Sequence, residues 1–184
     1  MIKLLLGSFL AAVAVFLFGA AYWMSGPTMK IFAAPNQPEA FGKSLLEHLP
    51  LSGVYVYPPA LGTEAQHDAA SRQGPIALIH YHREGMPAMD PTMLVRGFLV
   101  IWVTFSFVAL LLQLTAPALP TYGSRVLVVV ITGLIVAANS DLGATIWWHH
   151  APQFAGASAL YNVLAFLIGG LILARFVRRP SAPI

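Results

Sequence analysis

The stretch MLVRGFLVIWVTFSFVALLLQL, residues 93–114, decides how this chain folds. Arg96 is its only formal charge, and it is longer than the roughly 20 apolar residues that a helix needs to cross a bilayer. Comparable stretches occur near both ends of the chain and shortly after this one. The sequence therefore predicts four transmembrane helices, at Leu4–Met24, Met93–Leu114, Val126–Trp147 and Ala157–Phe176.

The composition of the chain excludes a globular domain that is free in water. Of its 184 residues, 58% are hydrophobic and 9% are charged, whereas a soluble domain carries about 25% charged residues. The net charge of +3 does not indicate a nucleic-acid partner, because no basic run is longer than Arg178-Arg179. The chain has no cysteine, which excludes disulfides, thiolate metal sites and cysteine nucleophiles.

The positions of the basic residues predict how the chain is oriented. With four spans, one side of the membrane carries no acidic residue and has Lys3, Arg125, Arg175, Arg178 and Arg179. The positive-inside rule then places both termini in the cytoplasm. The first span also resembles a signal peptide, but its apolar run is unusually long and ends in Tyr22-Trp23, so we expect an uncleaved helix.

The segment between the first two spans predicts a small folded domain. It holds six of the seven acidic residues. Its patterns predict, in order, a helix at Glu39–Leu49, a strand at Ser52–Tyr57, a helix begun by a Thr63/Gln66 capping box and a strand at Ile76–His82. Because two strands alone are marginal in water, we expect this domain to lie on the helix ends or on another protein.

The predicted fold class is thus a mainly α membrane protein, with four transmembrane helices and a small extracytoplasmic α+β domain between the first and second. Its parts are a first transmembrane helix (residues 1–24), an extracytoplasmic cap (residues 25–91), transmembrane helices two to four (residues 92–177) and a cytoplasmic tail (residues 178–184).

Four polar residues fall at membrane depth near the extracytoplasmic end of the spans: Arg96, Asn139, Asp141 and Asn162. Ionisable groups inside a membrane are costly and commonly functional, so we predict that these four converge beneath the cap. A structural Arg96–Asp141 ion pair that fixes helix order is the favoured interpretation. A small transporter or membrane enzyme that uses Asp141 is the alternative.

Histidine and methionine residues on the extracytoplasmic side suggest a second hypothesis. His80 and His82 alternate on a predicted strand, and Met86 and Met89 follow. Imidazole and thioether ligands suit copper, so these four residues are a candidate copper site. Against it, the prolines that follow both methionines break any helix that would align them, and no cofactor is otherwise predicted.

The first predicted span and three shorter segments resemble a known kind of protein. LLLGSFLAAVAVFLFGAAYWM (residues 4–24), SGVYVYPP (52–59), GPIALIHYHREGMP (74–87) and TIWWHH (145–150) are similar to small bacterial four-helix inner-membrane proteins with one extracytoplasmic segment and no assigned activity. The resemblance implies a bacterial inner membrane, with residues 25–91 in the periplasm.

The sequence favours a protein that is not an enzyme. It contains no nucleophile elbow, P-loop, dinucleotide-binding glycine pattern or zinc-protease motif. We therefore expect a structural, accessory or partner-docking subunit of a membrane complex. Its predicted partners are the lipid bilayer and a membrane protein or a second copy of the chain.

Overall fold

The computed structural model describes residues 2–60 and 62–177 of the chain. In chain order, its helices and strands are α1 (Ile2–Trp23), α2 (Gly26–Met29), α3 (Pro38–His48), β1 (Gly53–Tyr57), α4 (Glu64–Gln73), β2 (Ala77–Tyr81), α5 (Pro91–Leu114), α6 (Tyr122–Val136), α7 (Gly143–Trp147) and α8 (Pro152–Leu173). A π-helical segment, Ala137–Leu142, joins α6 to α7 without a break. The predicted tail, residues 178–184, lies outside the described residues.

Within the described residues, four helices are long and apolar enough to cross a membrane: α1, α5, the continuous helix Tyr122–Trp147, and α8. The prediction of four apolar helices is therefore confirmed. The last one begins earlier than predicted, at Pro152, because proline at the first helical position has no N–H that needs a partner.

Two of these helices begin at side-chain caps. The Asp90 carboxylate accepts a hydrogen bond from the Thr92 backbone N–H at 2.9 Å, as expected for an N-cap before a first-turn proline. At α6 the cap is Thr121, whose hydroxyl accepts from the Ser124 N–H at 3.0 Å, while the Ser124 hydroxyl accepts from the Thr121 N–H. This capping box starts α6 at Tyr122, before the predicted start at Val126.

The long helices form a bundle with one apolar core. α1 packs on α5 and α8, and α6 packs on α8, whereas α5 and α6 contact each other only slightly. The largest fully buried apolar side chains are Phe105, Leu112, Leu173, Val15 and Val129. The elements that carry Arg96 and Asp141 therefore have different principal neighbours.

The segment between α1 and α5 forms the cap, residues 25–90, at one end of the bundle, which we call the cap end. Strands β1 and β2 pair antiparallel, with Val54 opposite His80 and Tyr55 opposite Ile79. The predicted helix–strand–helix–strand order is thus confirmed, and so is the Thr63/Gln66 capping box. None of the residues of α3, β1, α4 and β2 is buried, so these elements have no apolar core of their own.

Hydrogen bonds rather than packing define the shape of the cap. The Arg83 guanidinium donates to the carbonyls of Leu46 and Leu49 at 2.8 and 2.9 Å, which caps the end of α3. The Ser52 hydroxyl donates to the Glu84 carboxylate at 2.6 Å and accepts from the Arg83 N–H. The hydrogen bond from Ser52, followed by that from the Glu84 backbone, lowers the pKa of Glu84 below its usual value.

Candidate functional site

A π-helical segment holds two of the four predicted polar residues. Ala137–Leu142 continues α6 with a wider turn, and it contains Asn139 and Asp141. Such segments are rare and are frequent at functional sites. The sequence predicted an uninterrupted α-helix here, because the run AANSDL contains no proline or glycine that would mark an irregular turn.

Asp141 and Asn162 meet between the π segment and α8. The Asn162 side-chain amide donates a hydrogen bond of 2.6 Å to Asp141 Oδ2. Both residues are half-buried. The structure therefore brings together two of the four polar residues that the sequence placed near one another.

Arg96 and Asn139 do not join this contact. Both are exposed, and within the described residues the oppositely charged or titratable pairs are Arg72 with Asp68 and His82 with Glu84. The Arg96–Asp141 pair expected within one chain is thus not formed. The reason lies in the bundle, since α5 packs mainly on α1 while the π segment packs on α8.

A cleft lies between the cap sheet and the end of α7. It consists of two adjoining cavities of about 280 and about 700 Å³, both lined by Ile76–Leu78, Trp148 and His149. His149 adopts a positive φ of 54°, a left-handed conformation that is costly for a residue with a Cβ atom. It lets the chain turn sharply after α7, where the His150 N–H donates to the Ala144 carbonyl at 3.1 Å.

The predicted copper ligands are distributed differently from the sequence hypothesis. His80 lines the larger cavity of the cleft with His149 and His150. His82 lies beyond the end of β2, and its Nδ1 atom is 3.4 Å from the Glu84 carboxylate. Met86 and Met89 are exposed.

The prediction that His80 and His82 lie on the same strand is therefore wrong, because only His80 belongs to β2. In residues 2–60 and 62–177, no group of three or more His, Asp or Glu side chains is placed to hold a metal ion. A site made of His80, His82, Met86 and Met89 stays a prediction, as does a transport or catalytic role for Asp141.

Sequence reasoning missed the role of Arg125 at the opposite end of the bundle. Arg125 is 5% exposed, and its guanidinium donates to the carbonyls of Leu119 and Val177 at 3.0 and 3.2 Å. It thus satisfies one backbone oxygen between α5 and α6 and one after the end of α8. A signal was present, because a cation in the first turns of a helix opposes the helix dipole and needs an acceptor elsewhere.

A second missed feature is a polar contact inside the bundle. Ser8 on α1 is fully buried, and its hydroxyl accepts from the Trp102 indole N–H and the Ser106 hydroxyl, both at 3.2 Å. These bonds tie α1 to α5 among apolar neighbours. No motif marks the contact, because a single serine in an apolar helix is common.

Together, these observations locate one polar contact near the cap end, between Asp141 and Asn162, and one largely apolar cleft between the end of α7 and the cap sheet. Concave apolar sites with a few polar groups suit apolar or amphiphilic ligands and side chains. Comparison of the chain with protein families, curated proteins and solved structures finds no match. The resemblance to small four-helix inner-membrane proteins stays a prediction.

Proposed function

We propose that the protein is a non-enzymatic, multi-pass protein of a bacterial inner membrane whose cap docks a partner protein. In this proposal, α1, α5, the Tyr122–Trp147 helix and α8 span the bilayer, both termini are cytoplasmic, and the cap faces the periplasm. The protein then serves as an accessory subunit that holds its partner at the membrane surface.

The observation that carries the proposal is the absence of buried residues in α3, β1, α4 and β2 of the cap. Within α3, α4 and the two strands, every residue is at least partly exposed. Val54 and Val56, on one face of β1, are 59% and 58% exposed, and nearby Leu51 is 72% exposed. A group of exposed apolar side chains commonly marks an interaction site.

The cap is nevertheless a preformed surface. Arg83 fixes the end of α3 relative to the sheet, and the Ser52–Glu84 bond joins the chain before β1 to the chain after β2. A fixed shape lowers the entropic cost of binding. The sheet also has two strands only, so each has an edge to which an extended partner segment can add.

Membrane orientation is tested first, and the lack of cysteine makes the test simple. Single cysteines replace Ala69 in the cap and Ala118 between α5 and α6, both of which are exposed. In intact cells, a membrane-impermeant maleimide should label the A69C chain and label A118C only after permeabilisation. The reverse labelling, or release of the chain from membranes by alkaline carbonate, would contradict the proposal.

Docking is tested by photocrosslinking in native membranes. A photoreactive amino acid at Val54 or Val56 should give one adduct of defined mass with a periplasmic or membrane protein. The matched control is Arg72 on the polar surface of α4, whose side chain is 79% exposed and which should give no such adduct. Equal adducts at Arg72, or adducts with lipid alone at Val54 and Val56, would refute a specific protein partner.

A further inference from the structure

We propose that two copies of this chain associate in the membrane through reciprocal ion pairs, Arg96 of each copy with Asp141 of the other. The inference rests on the membrane insertion proposed above but not on docking by the cap. The proposed interface lies on the long helices, and a second copy of the chain binds there.

The first step is that neither charge has an opposite charge as its partner among residues 2–60 and 62–177. Arg96 is exposed and Asp141 is half-buried, and neither belongs to the ion pairs formed among the described residues. An ionised group inside the hydrocarbon is costly unless it is paired or faces another protein surface. In the described part of a single copy, Asp141 has only the neutral Asn162 amide as its hydrogen-bond donor, and a bilayer offers neither residue an opposite charge.

The second step is that the two charges lie at matching depths. Arg96 is five residues from the start of α5 at Pro91, and Asp141 is six residues from the end of α7 at Trp147. At about 1.5 Å per residue, both lie about 7–9 Å from the cap end of their helices. Two parallel copies side by side therefore place these charges at one level.

The third step is the arrangement of the helices. Only residues 115–121 separate α5 from α6, which keeps their connected ends close, yet the two helices contact each other only slightly. A twofold axis that passes between them brings α5 of one copy against the Tyr122–Trp147 helix of the other. A twofold interface repeats every contact, so both ion pairs form together.

The fourth step is that Asp141 has a carboxylate oxygen that can accept hydrogen bonds from a guanidinium. Asn162 occupies Asp141 Oδ2, and among the described atoms Asp141 Oδ1 accepts no hydrogen bond. Asn139 and Ser140 are exposed beside it and offer further oxygen atoms. Arginine binds such sets of oxygens with two or more N–H groups at once.

The test uses charge reversal in chains that carry two different affinity tags. R96D and D141R chains, each expressed in both tagged forms, should lose co-purification of the second tag by about tenfold or more, as expected when paired charges become like charges. When tagged R96D is co-expressed with differently tagged D141R, both pairs are restored between the two chains. Co-purification should then return to the wild-type level.

The pattern separates contacts between copies from contacts within one chain. An intramolecular pair would leave R96D and D141R defective whether or not they are co-expressed, so failure of the mixed pair to recover would overturn the proposal. Association of wild-type copies that neither reversal weakens would overturn it as well. So would wild-type chains that do not co-purify in a mild detergent.

Neutral variants keep the test decisive if a reversed charge prevents folding. R96Q and D141N preserve size and the capacity for hydrogen bonds, and each should weaken association while the chain stays monodisperse. Unchanged association in both would count against the ion pairs. Loss of association with intact photocrosslinking at Val54 would support the ion pairs and leave docking by the cap unaffected, whereas wild-type chains that fail to enter membranes would refute the proposed function itself.

Discussion

The ring of Phe105, on α5, lies directly against Gly169 of α8, in space that a Cβ atom at position 169 would fill. Phe105 is 2% exposed and also packs on Phe166, with ring centroids 5.6 Å apart. This contact joins α5 to α8 across the bundle, although α5 packs mainly on α1. The absence of a side chain at Gly169 is thus what leaves room for the Phe105 ring.

We predict that Gly169→Ala lowers the free energy of unfolding by roughly 1–3 kcal/mol, since overpacking a core has a cost of this size. Thermal unfolding in detergent, followed by circular dichroism, measures the change. Gly156→Ala is the matched control on the same helix, because a Cβ atom there meets nothing within 4 Å. Equal melting temperatures for the two variants would contradict the account of the contact.

The replacement of Arg125 tests the contact at the opposite end of the bundle. Arg125→Ala removes donors to the carbonyls of Leu119 and Val177 and should lower the free energy of unfolding by about 2–3 kcal/mol, as for lost hydrogen bonds to a charged group. Arg125→Lys should recover only part of the lost stability, because a lysine ammonium cannot reproduce the planar, forked arrangement of N–H donors in the arginine guanidinium. Arg175→Ala, at an exposed position, should have little effect.

Replacing the buried Ser8 should lower the free energy of unfolding by a smaller amount, and the spectrum of Trp102 should also change. Ser8→Ala leaves the Trp102 indole N–H without its acceptor, and the expected loss is about 0.5–1 kcal/mol, the size of hydrogen bonds between membrane helices. The ultraviolet resonance Raman bands of Trp102 should report a broken N–H bond. Thr104→Ala should leave those bands unchanged, because Thr104 bonds only to the Val100 carbonyl of its own helix.

The stability of the cap should depend on pH through Glu84. The hydrogen bond from Ser52 lowers the pKa of Glu84 in the folded cap, so ionised Glu84 stabilises the fold at and above the usual carboxyl pKa. This contribution is lost as the pH falls through the lowered pKa of the folded state. Hydrogen exchange at the Arg83 amide, corrected for its intrinsic pH dependence, should rise in that range.

The Glu84→Gln chain should show rapid exchange at the Arg83 amide that no longer changes across the same pH range. Glu64→Gln is a suitable control, because Glu64 makes no side-chain hydrogen bond among the described residues and should leave the wild-type profile intact. A wild-type profile in the Glu84→Gln chain would contradict the assigned role of the Ser52–Glu84 bond.

The features that the sequence predicted correctly are local ones. Apolar length identifies α1 and α5, and the spacing of Thr63 and Gln66 identifies the start of α4, because these signals lie within a few turns of one segment. The Arg96–Asp141 pair was predicted wrongly within one chain, since a sequence gives the depth of a residue along its helix but not which helix is its neighbour. The role of Arg125 depends likewise on where α8 ends in space.

The wide turn at Ala137–Leu142 also sets how α7, which follows it, is rotated about the helix axis. If these six residues adopted ordinary α-helical geometry, α7 would rotate about its axis by about 100°, the angle between successive residues of an α-helix. Trp148 and His149, which line the cleft beneath the cap sheet, would move with it. The wide turn around Asp141 and the shape of the cleft are therefore mechanically coupled.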